Sequence, residues 1–125
     1  MGVYEMEKSK RFQDVEIWKE AHKWVLDVYK ITESFPKSEL FGLTSQLRRS
    51  AVSVPSNFVE GFRKKSLADK LRYYNIAQGS ISESMYHLIL AKDIGYVDTF
   101  LSMQQLTKVD VMLQAYMTAI EKARK

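Results

Sequence analysis

Apolar residues recur every three or four positions in four long segments of this chain, and this spacing is the period of an α-helix. The segments lie at about residues 14–34, 44–62, 66–93 and 98–123, with short connections between them. We therefore predict an all-α fold, an antiparallel up-down-up-down four-helix bundle. The length of 125 residues fits one domain. We assign residues 13–125 to the bundle and residues 1–12 to a flexible N-terminal tail.

The first predicted helix runs from an Asp14 N-cap to about Ser34, and it carries two apolar stripes. An ordinary surface helix buries one such stripe. One stripe comprises Ile17, Ala21, Trp24, Val28, Ile31 and Phe35, and the other Trp18, Val25, Tyr29 and Thr32. Because a single bundle does not cover both, we predict that the chain assembles with copies of itself. The predicted oligomer interface consists of Ile17, Trp24, Val28 and Ile31.

Polar, proline and glycine residues predict where the other helices begin, bend and end. The second helix opens near Thr44, with Ser38 as a second candidate, and we expect Pro55 to kink it without dividing it. Ser66, with an acidic residue three positions on, predicts the start of the third helix, and Gly95 its end. The fourth helix starts near Asp98 or Thr99. Small residues inside the third helix predict close approach of another helix: Gly79, Ser80, Ser82 and Ser84.

The charge of the chain is concentrated in one third of its length. The net charge is +4, and residues 36–72 alone carry eight basic and three acidic side chains. Clustering of this kind indicates a polyanion partner, although a solvated basic loop has the same composition. The run Arg63-Lys64-Lys65 stands just before a predicted helix N-terminus, where open backbone N–H groups favour anions. The residues predicted to bind nucleic acid are Arg49, Arg63, Lys64, Lys65, Lys70 and Arg72. Tyr73 and Tyr74 have a spacing compatible with the core.

The adjacent arginines of the second helix are predicted to have different environments. Arg49 shares a polar face with Ser53 and Ser56, so we expect it to face solvent. Arg48 falls on an apolar face, where a half-buried cation needs a carboxylate partner. We expect that partner to be Glu60 or Glu83, within the same chain or in a neighbour. The predicted structural ion pair or network comprises Arg48, Asn57, Glu60 and Glu83.

The sequence lacks the signatures of enzyme sites, so we predict no catalytic residues, no metal and no cofactor. It has no cysteine and two histidines, no glycine-rich phosphate loop and no nucleophile elbow. Glu83 and His87 stand one helical turn apart, but the further carboxylates of a metal-binding bundle are missing, and a contact between helices is favoured. No apolar run approaches the roughly 20 residues that cross a membrane. The first dozen residues lack a secretory signal. We expect a cytoplasmic protein without a membrane partner.

Three stretches resemble the four-helix bundle family of 23S rRNA intervening sequence proteins: FQDVEIWKEAHKWVLDVYKITESFP, LFGLTSQLRRSAVSVPSNFVEGF and NIAQGSISE. The resemblance implies an all-helical bundle that is commonly a homopentamer and has no catalytic residues. Genes of the family often lie in sequences inserted within ribosomal RNA genes. Relatives include the accessory protein of diversity-generating retroelements, a basic pentamer regarded as a binder of nucleic acid and of a reverse transcriptase. The motif residues in this chain are Arg48, Arg49, Pro55, Asn57, Glu60, Gly61, Gly79, Ser80 and Glu83.

These observations favour a non-enzymatic homo-oligomer that binds nucleic acid through a basic surface, with RNA as the favoured ligand. The alternative is a scaffold for protein–protein interaction, in which the basic residues serve solubility. A small-molecule site inside the bundle or along an oligomer axis is a third hypothesis.

Overall fold

The computed structural model describes residues 11–124. Its four helices are α1 (Glu16–Thr32), α2 (Leu43–Arg63), α3 (Leu67–Ile94) and α4 (Phe100–Arg124). A single 3-10 turn precedes each of the first two helices, at Phe12–Asp14 and at Lys37–Glu39. Residues 11–124 contain no β-strand. The prediction of an all-α chain with four helices is therefore confirmed, and the arrangement is consistent with a four-helix bundle.

Each helix packs against two others around one core. α1 contacts α2 and α4, and α3 contacts α2 and α4, with the most extensive packing between α2 and α3. The largest fully buried side chains come from all four helices: Trp24, Tyr74, Tyr116, Phe58, Ile17, Leu47, Ile81 and Leu88. This packing order places the outer groove between α1 and α2 (the α1–α2 edge) opposite the outer groove between α3 and α4 (the α3–α4 edge).

The described protomer buries most of both apolar stripes of α1. Ile17, Trp24 and Val28 are at most 2% exposed, and the indole Nε1 of Trp24 donates to Ser102 Oγ of α4 at 3.1 Å. The prediction that these three residues line an oligomer interface is wrong, because the protomer's own core covers them. Ile31, the fourth residue of that prediction, is half-buried. On the second stripe Val25 and Thr32 are also buried, and Tyr29 is exposed.

The starts of α1 and α2 differ from the prediction. α1 begins after Val15, and Asp14 lies in the preceding 3-10 turn without capping it. α2 begins at Leu43, whose backbone N–H donates to Glu39 Oε1 at 3.0 Å. Tyr96 lies in the connection after α3, and its Oη donates to Glu39 Oε2 at 2.6 Å. Glu39 therefore satisfies one open N–H group of α2 and ties the α1–α2 connection to the α3–α4 connection.

The ends of α3 agree with the prediction. Ser66 Oγ accepts from the backbone N–H of Asp69 at 3.1 Å. Gly95 ends the helix with φ +93°, a left-handed conformation that glycine adopts without a Cβ clash.

The predicted tail lies outside the described residues, except for residues 11 and 12. The ring of Phe12 packs edge-on against Trp18, with 5.2 Å between ring centroids. Within residues 11–124, no helix is both long enough and apolar enough to cross a membrane.

Candidate nucleic-acid interface

The connection between α2 and α3 presents the basic segment of the sequence. Arg63 is the last residue of α2, and Lys64 and Lys65 follow before the Ser66 cap of α3. Arg63 and Lys65 are exposed, and Lys64 is half-buried. None of these three cations lies within 4.0 Å of a carboxylate oxygen among residues 11–124. No carboxylate in this part of the chain therefore compensates their charge, and their role in binding nucleic acid stays a prediction.

Tyr73 brings two cations onto one ring. Lys64 Nζ lies 5.1 Å from the centroid of the Tyr73 ring, and Arg72 Cζ lies 4.9 Å from the same centroid. Both distances fall within the range of cation–π attraction. Tyr73 is half-buried, whereas Tyr74, its neighbour in sequence, is fully buried. The sequence pattern missed this role of Tyr73, and the position of the tyrosine next to Arg72 is the signal that could have indicated it.

The N-terminus of α3 contributes less to this surface than the sequence suggested. Ser66 already accepts from the backbone N–H of Asp69, and the Asp69 carboxylate stands in the first turn, where it balances the positive end of the helix dipole. Asp69 Oδ1 also lies 3.9 Å from a guanidinium nitrogen of Arg72, and both side chains are more than half exposed. The attraction for an anion here therefore comes from side-chain cations.

Lys70 is buried and does not belong to the basic surface, so its predicted role in binding nucleic acid is wrong. The residue is 5% exposed, and its Nζ donates to the backbone oxygens of Gly61 at 3.2 Å and of Phe62 at 2.8 Å. These carbonyls belong to the last turn of α2, where the helix supplies few N–H partners, and the Gly61 oxygen also accepts from the backbone N–H of Lys64. Lys70 therefore holds the end of α2 against α3.

Arg49 lies apart from the basic segment and is neutralised. One of its guanidinium nitrogens donates to Glu83 Oε2 at 2.7 Å and to Gln46 Oε1 at 2.9 Å. Fourteen residues of α2 separate Arg49 from Arg63, which corresponds to roughly 20 Å along a helix axis. The side chain of Arg49 is 61% exposed, as predicted for a solvent-facing residue, but its charge is compensated on the surface.

Arg48 is half-buried, as predicted, but its partners are not carboxylates. Its Nε donates to Thr32 Oγ1 at 2.8 Å, and a terminal nitrogen donates to the backbone oxygen of Tyr29 at 3.3 Å. Its Cζ lies 4.6 Å from the centroid of the Tyr29 ring. The prediction of a Glu60 or Glu83 partner is wrong within the same chain, because the carbonyl end of α1 and an aromatic face stabilise this cation instead. Pairing with a carboxylate of a neighbouring chain stays a prediction.

Asn57, Glu60 and Glu83, the other residues of the predicted ion network, do not contact Arg48 or one another through hydrogen bonds or ion pairs within residues 11–124. Asn57 Nδ2 donates within α2, to the backbone oxygen of Ser53 at 2.8 Å and to Ser53 Oγ at 2.9 Å. Glu60 is exposed and pairs with no cation of residues 11–124. Glu83 contacts Arg49 and His87. The predicted network of four residues is therefore not formed within residues 11–124 of the protomer.

A row of hydroxyl groups joins α2 to α3. Ser50 Oγ lies 2.8 Å from Ser84 Oγ, and Ser53 Oγ lies 2.7 Å from Ser80 Oγ. Small side chains allow the two helices to approach closely, as the sequence predicted for the third helix. We call this row of four serines the serine seam.

A glutamate, a histidine and a serine are arranged in the order of a hydrolytic triad at one end of the serine seam. His87 Nε2 lies 3.8 Å from Glu83 Oε2, and His87 Nδ1 lies 3.3 Å from Ser50 Oγ. Ser50 is completely buried, so its oxygen has no path to a substrate carbonyl. Burial lowers the pKa of His87 below its ordinary value, and the Glu83 carboxylate opposes this shift. Among residues 11–124, no group of three or more metal-ligating side chains could hold a metal ion.

Comparison with known proteins identifies the family. Residues 13–115 match the family model of the 23S rRNA-intervening sequence protein. The search of curated proteins gives no match. A crystal structure of a protein of unknown function from the S23 ribosomal protein family of Bacteroides thetaiotaomicron has a similar fold, with a TM-score of 0.73 and 20% sequence identity over 81% of this chain and 97% of that chain. Since the family model covers most of the sequence, the chain belongs to the 23S rRNA-intervening sequence protein family.

Proposed function

We propose that this protein is a non-enzymatic homo-oligomer of the cytoplasm that binds nucleic acid, with RNA as the favoured ligand. The proposed binding surface consists of Arg63, Lys64, Lys65 and Arg72. The observation that carries the proposal is the accumulation of these four cations where α2 meets α3, with Lys64 and Arg72 against the Tyr73 ring. The first three cations have no carboxylate neighbour in residues 11–124. Arg49, which pairs with Glu83, and Lys70, which is buried, are left out of this surface.

The proposed interaction is with the phosphate backbone. Lysine and arginine neutralise phosphates and release condensed counterions, so the affinity falls as salt rises. Four cations acting together give a slope of about −3 in log K against log salt for single strands. The surface carries no arrangement of side chains that reads base edges, and we expect little sequence preference.

The same proposal includes the directions of the helices, the bend in α2 and the assembly of the chains. We expect the helices to run up-down-up-down and Pro55 to kink α2, which continues unbroken through that residue. We also expect the chains to assemble, with five copies suggested by the family resemblance. Several weak basic surfaces on one rigid assembly would gain affinity through their high effective concentration.

Binding to a structured RNA across a salt series tests the proposal. The informative variant is Arg63→Ala/Lys64→Ala/Lys65→Ala, and the matched control is Lys23→Ala/Lys30→Ala/Lys122→Ala, which removes the same charge from α1 and α4. We expect the first variant to lose more than about tenfold in affinity at 50 to 200 mM salt, and the control to change little. The absence of wild-type binding at low salt, or equal affinities of the two variants, would contradict the proposal.

The alternative function is a scaffold for another protein. Its support is the apolar surface left exposed at the α1–α2 connection, where Leu40 is 52% and Phe41 91% exposed. Affinity capture of one protein partner that survives nuclease treatment, together with absent RNA binding, would favour this function.

A further inference from the structure

The α1–α2 edge carries an apolar patch with a cation beside it. Phe41 is 91% exposed, and its neighbour Leu40 forms a groove of about 440 Å³ together with Tyr29, Arg48 and other residues of α1 and α2. We call Tyr29, Leu40, Phe41 and Val52 the α1–α2 patch. The four residues are between 39% and 91% exposed. Apolar side chains that stand together in water mark a surface that another molecule covers.

The α3–α4 edge carries a second patch. A groove of about 230 Å³ is lined by residues of both helices, among them Ile89, Asp93, Phe100 and Met103. We call these four residues the α3–α4 patch. Ile89 is 48% and Phe100 59% exposed, and Met103 is partly buried against the core.

The two patches lie at the same end of the molecule and on opposite edges. The hydrogen bond from Tyr96 Oη to Glu39 Oε2 joins the connection that carries Phe41 to the connection that precedes Phe100. One groove is lined by α1 and α2 and the other by α3 and α4. Two different surfaces that face opposite ways suit a head-to-tail contact, which closes into a ring when the same contact repeats.

The charges around the two patches are opposite in sign. Residues 29–52 carry four cations, of which Arg49 is paired with Glu83, and two carboxylates. Residues 89–103 carry two carboxylates and one cation, Lys92, which lines the same groove as Asp93. In particular, the guanidinium of Arg48 has no carboxylate partner in residues 11–124. Opposite net charges on two apolar surfaces favour their contact and fix its orientation.

Gly79 gives a separate indication that another backbone approaches the α3–α4 edge. It lines a larger groove of about 780 Å³ between α3 and α4, and a Cβ added to it would meet no atom within 4 Å. A glycine inside a helix costs about 1 kcal/mol relative to alanine, and no contact within the described chain requires this one. Tyr86 is 59% exposed and follows Ser82, which lines this groove, by four residues and precedes Ile89 by three. The three residues therefore share one face of α3, and this face connects the groove to the α3–α4 patch.

We infer that the α1–α2 patch of one copy docks on the α3–α4 patch of the next copy. Phe41 and Leu40 enter the groove beside Phe100, and Arg48 faces the Asp93 carboxylate. A helix of the neighbour's α1–α2 edge continues along α3 and passes close to Gly79. This inference rests on the oligomeric part of the proposed function and names the surfaces that form the contact.

The inference is tested by measuring the sedimenting mass of two variants. Each variant alters one of the two patches. Phe41→Ser alters only the α1–α2 patch, and Phe100→Ser alters only the α3–α4 patch. Leu26→Ser is the matched control, because Leu26 is also 59% exposed but lines a groove with Gln105 of α4. We expect each test variant to sediment as a protomer and the control to keep the wild-type mass. An equal mixture of the two test variants should form a one-to-one dimer, because each supplies the intact surface that the other lacks.

The outcomes separate failure of the inference from failure of the oligomer. A wild-type protein that sediments as a monomer would contradict oligomerisation itself. A wild-type oligomer whose mass is unchanged by both variants, or a mixture that stays monomeric, would contradict the docking contact and leave oligomerisation standing.

Cysteine cross-linking gives a second measurement, since the chain contains no cysteine. Under oxidation, Phe41→Cys/Phe100→Cys should form a ladder of covalent multimers, whereas each single cysteine variant should not. A double variant that stays uncross-linked while the oligomer persists would overturn the contact.

Discussion

Gly61 and Gly79 lie on adjacent helices of one protomer and have opposite surroundings. A Cβ added to Gly61 would lie 2.5 Å from Cε1 of Tyr74, a distance that real Cβ atoms do not reach. A Cβ added to Gly79 would meet no atom within 4 Å. The first glycine is explained by packing between α2 and α3, whereas the second has no explanation inside residues 11–124. The comparison indicates that the α2–α3 contact is complete in the protomer, whereas the α3–α4 edge around Gly79 is open in it, as the proposed assembly requires.

Other side chains show the same contrast. Between α2 and α3, the serine seam is hydrogen-bonded and the ring of Tyr74 stacks on Phe58, with 5.3 Å between centroids. On the α3–α4 edge, Ile89 and Phe100 are about half exposed around an open groove. Substitutions in the first region should therefore change the stability of the protomer, and substitutions in the second should change assembly.

The largest effect on stability is expected for Gly61→Ala. The added methyl group would overlap the ring of Tyr74, which cannot move easily because Phe58 and Tyr116 enclose it. We expect the free energy of unfolding to fall by about 1–3 kcal/mol, the usual cost of overpacking a core. Urea denaturation at fixed protomer concentration measures it. An unchanged midpoint would mean that the α2–α3 contact is looser than described.

A smaller effect is expected from the pH dependence of His87. Burial lowers the pKa of His87 in the folded chain, so between that pKa and the ordinary value of 6.5 the unfolded chain binds more protons. Stability should therefore fall as the pH decreases below about 6.5, by less than about 1.4 kcal/mol per pH unit for one proton. Thermal unfolding of His87→Gln should show a flatter pH profile.

A pH profile of His87→Gln that is as steep as that of the wild-type protein would contradict the assignment of this dependence to His87.

The smallest effect is expected for Gly79→Ala, and its sign depends on assembly. In a protomer held monomeric by Phe41→Ser, the methyl group enters open space, and the better helix propensity of alanine should raise stability by about 0.5–1 kcal/mol. In the otherwise wild-type chain the same methyl group should weaken the oligomer. Denaturation of the first protein and sedimentation of the second measure the two effects. A loss of stability in the monomeric background would contradict the open environment of Gly79.

Sequence patterns predicted the helices and the ends of α3, because these depend on residues close together in the chain. Ser66 and Gly95 act within one helical turn of the ends that they define. The start of α2 was predicted less well, because its cap is Glu39, which is held in place by Tyr96, 57 residues further along the chain. A local pattern carries no signal for that contact.

The site was predicted in part for the same reason. The run from Arg63 to Lys65 is a cluster along the chain, and the structure keeps it together. Helical spacing shows which residues share a face, but not which neighbour covers that face. Lys70 was therefore assigned to the surface although it holds the end of α2, and Trp24 was assigned to an interface although α4 covers it.

Sedimentation equilibrium of the wild-type protein at micromolar concentration tests most directly whether the chain assembles with copies of itself. A protomer has a mass of 14.6 kDa. The account predicts a stable assembly whose mass is a whole multiple of that value. A single species of 14.6 kDa throughout the concentration range would contradict it.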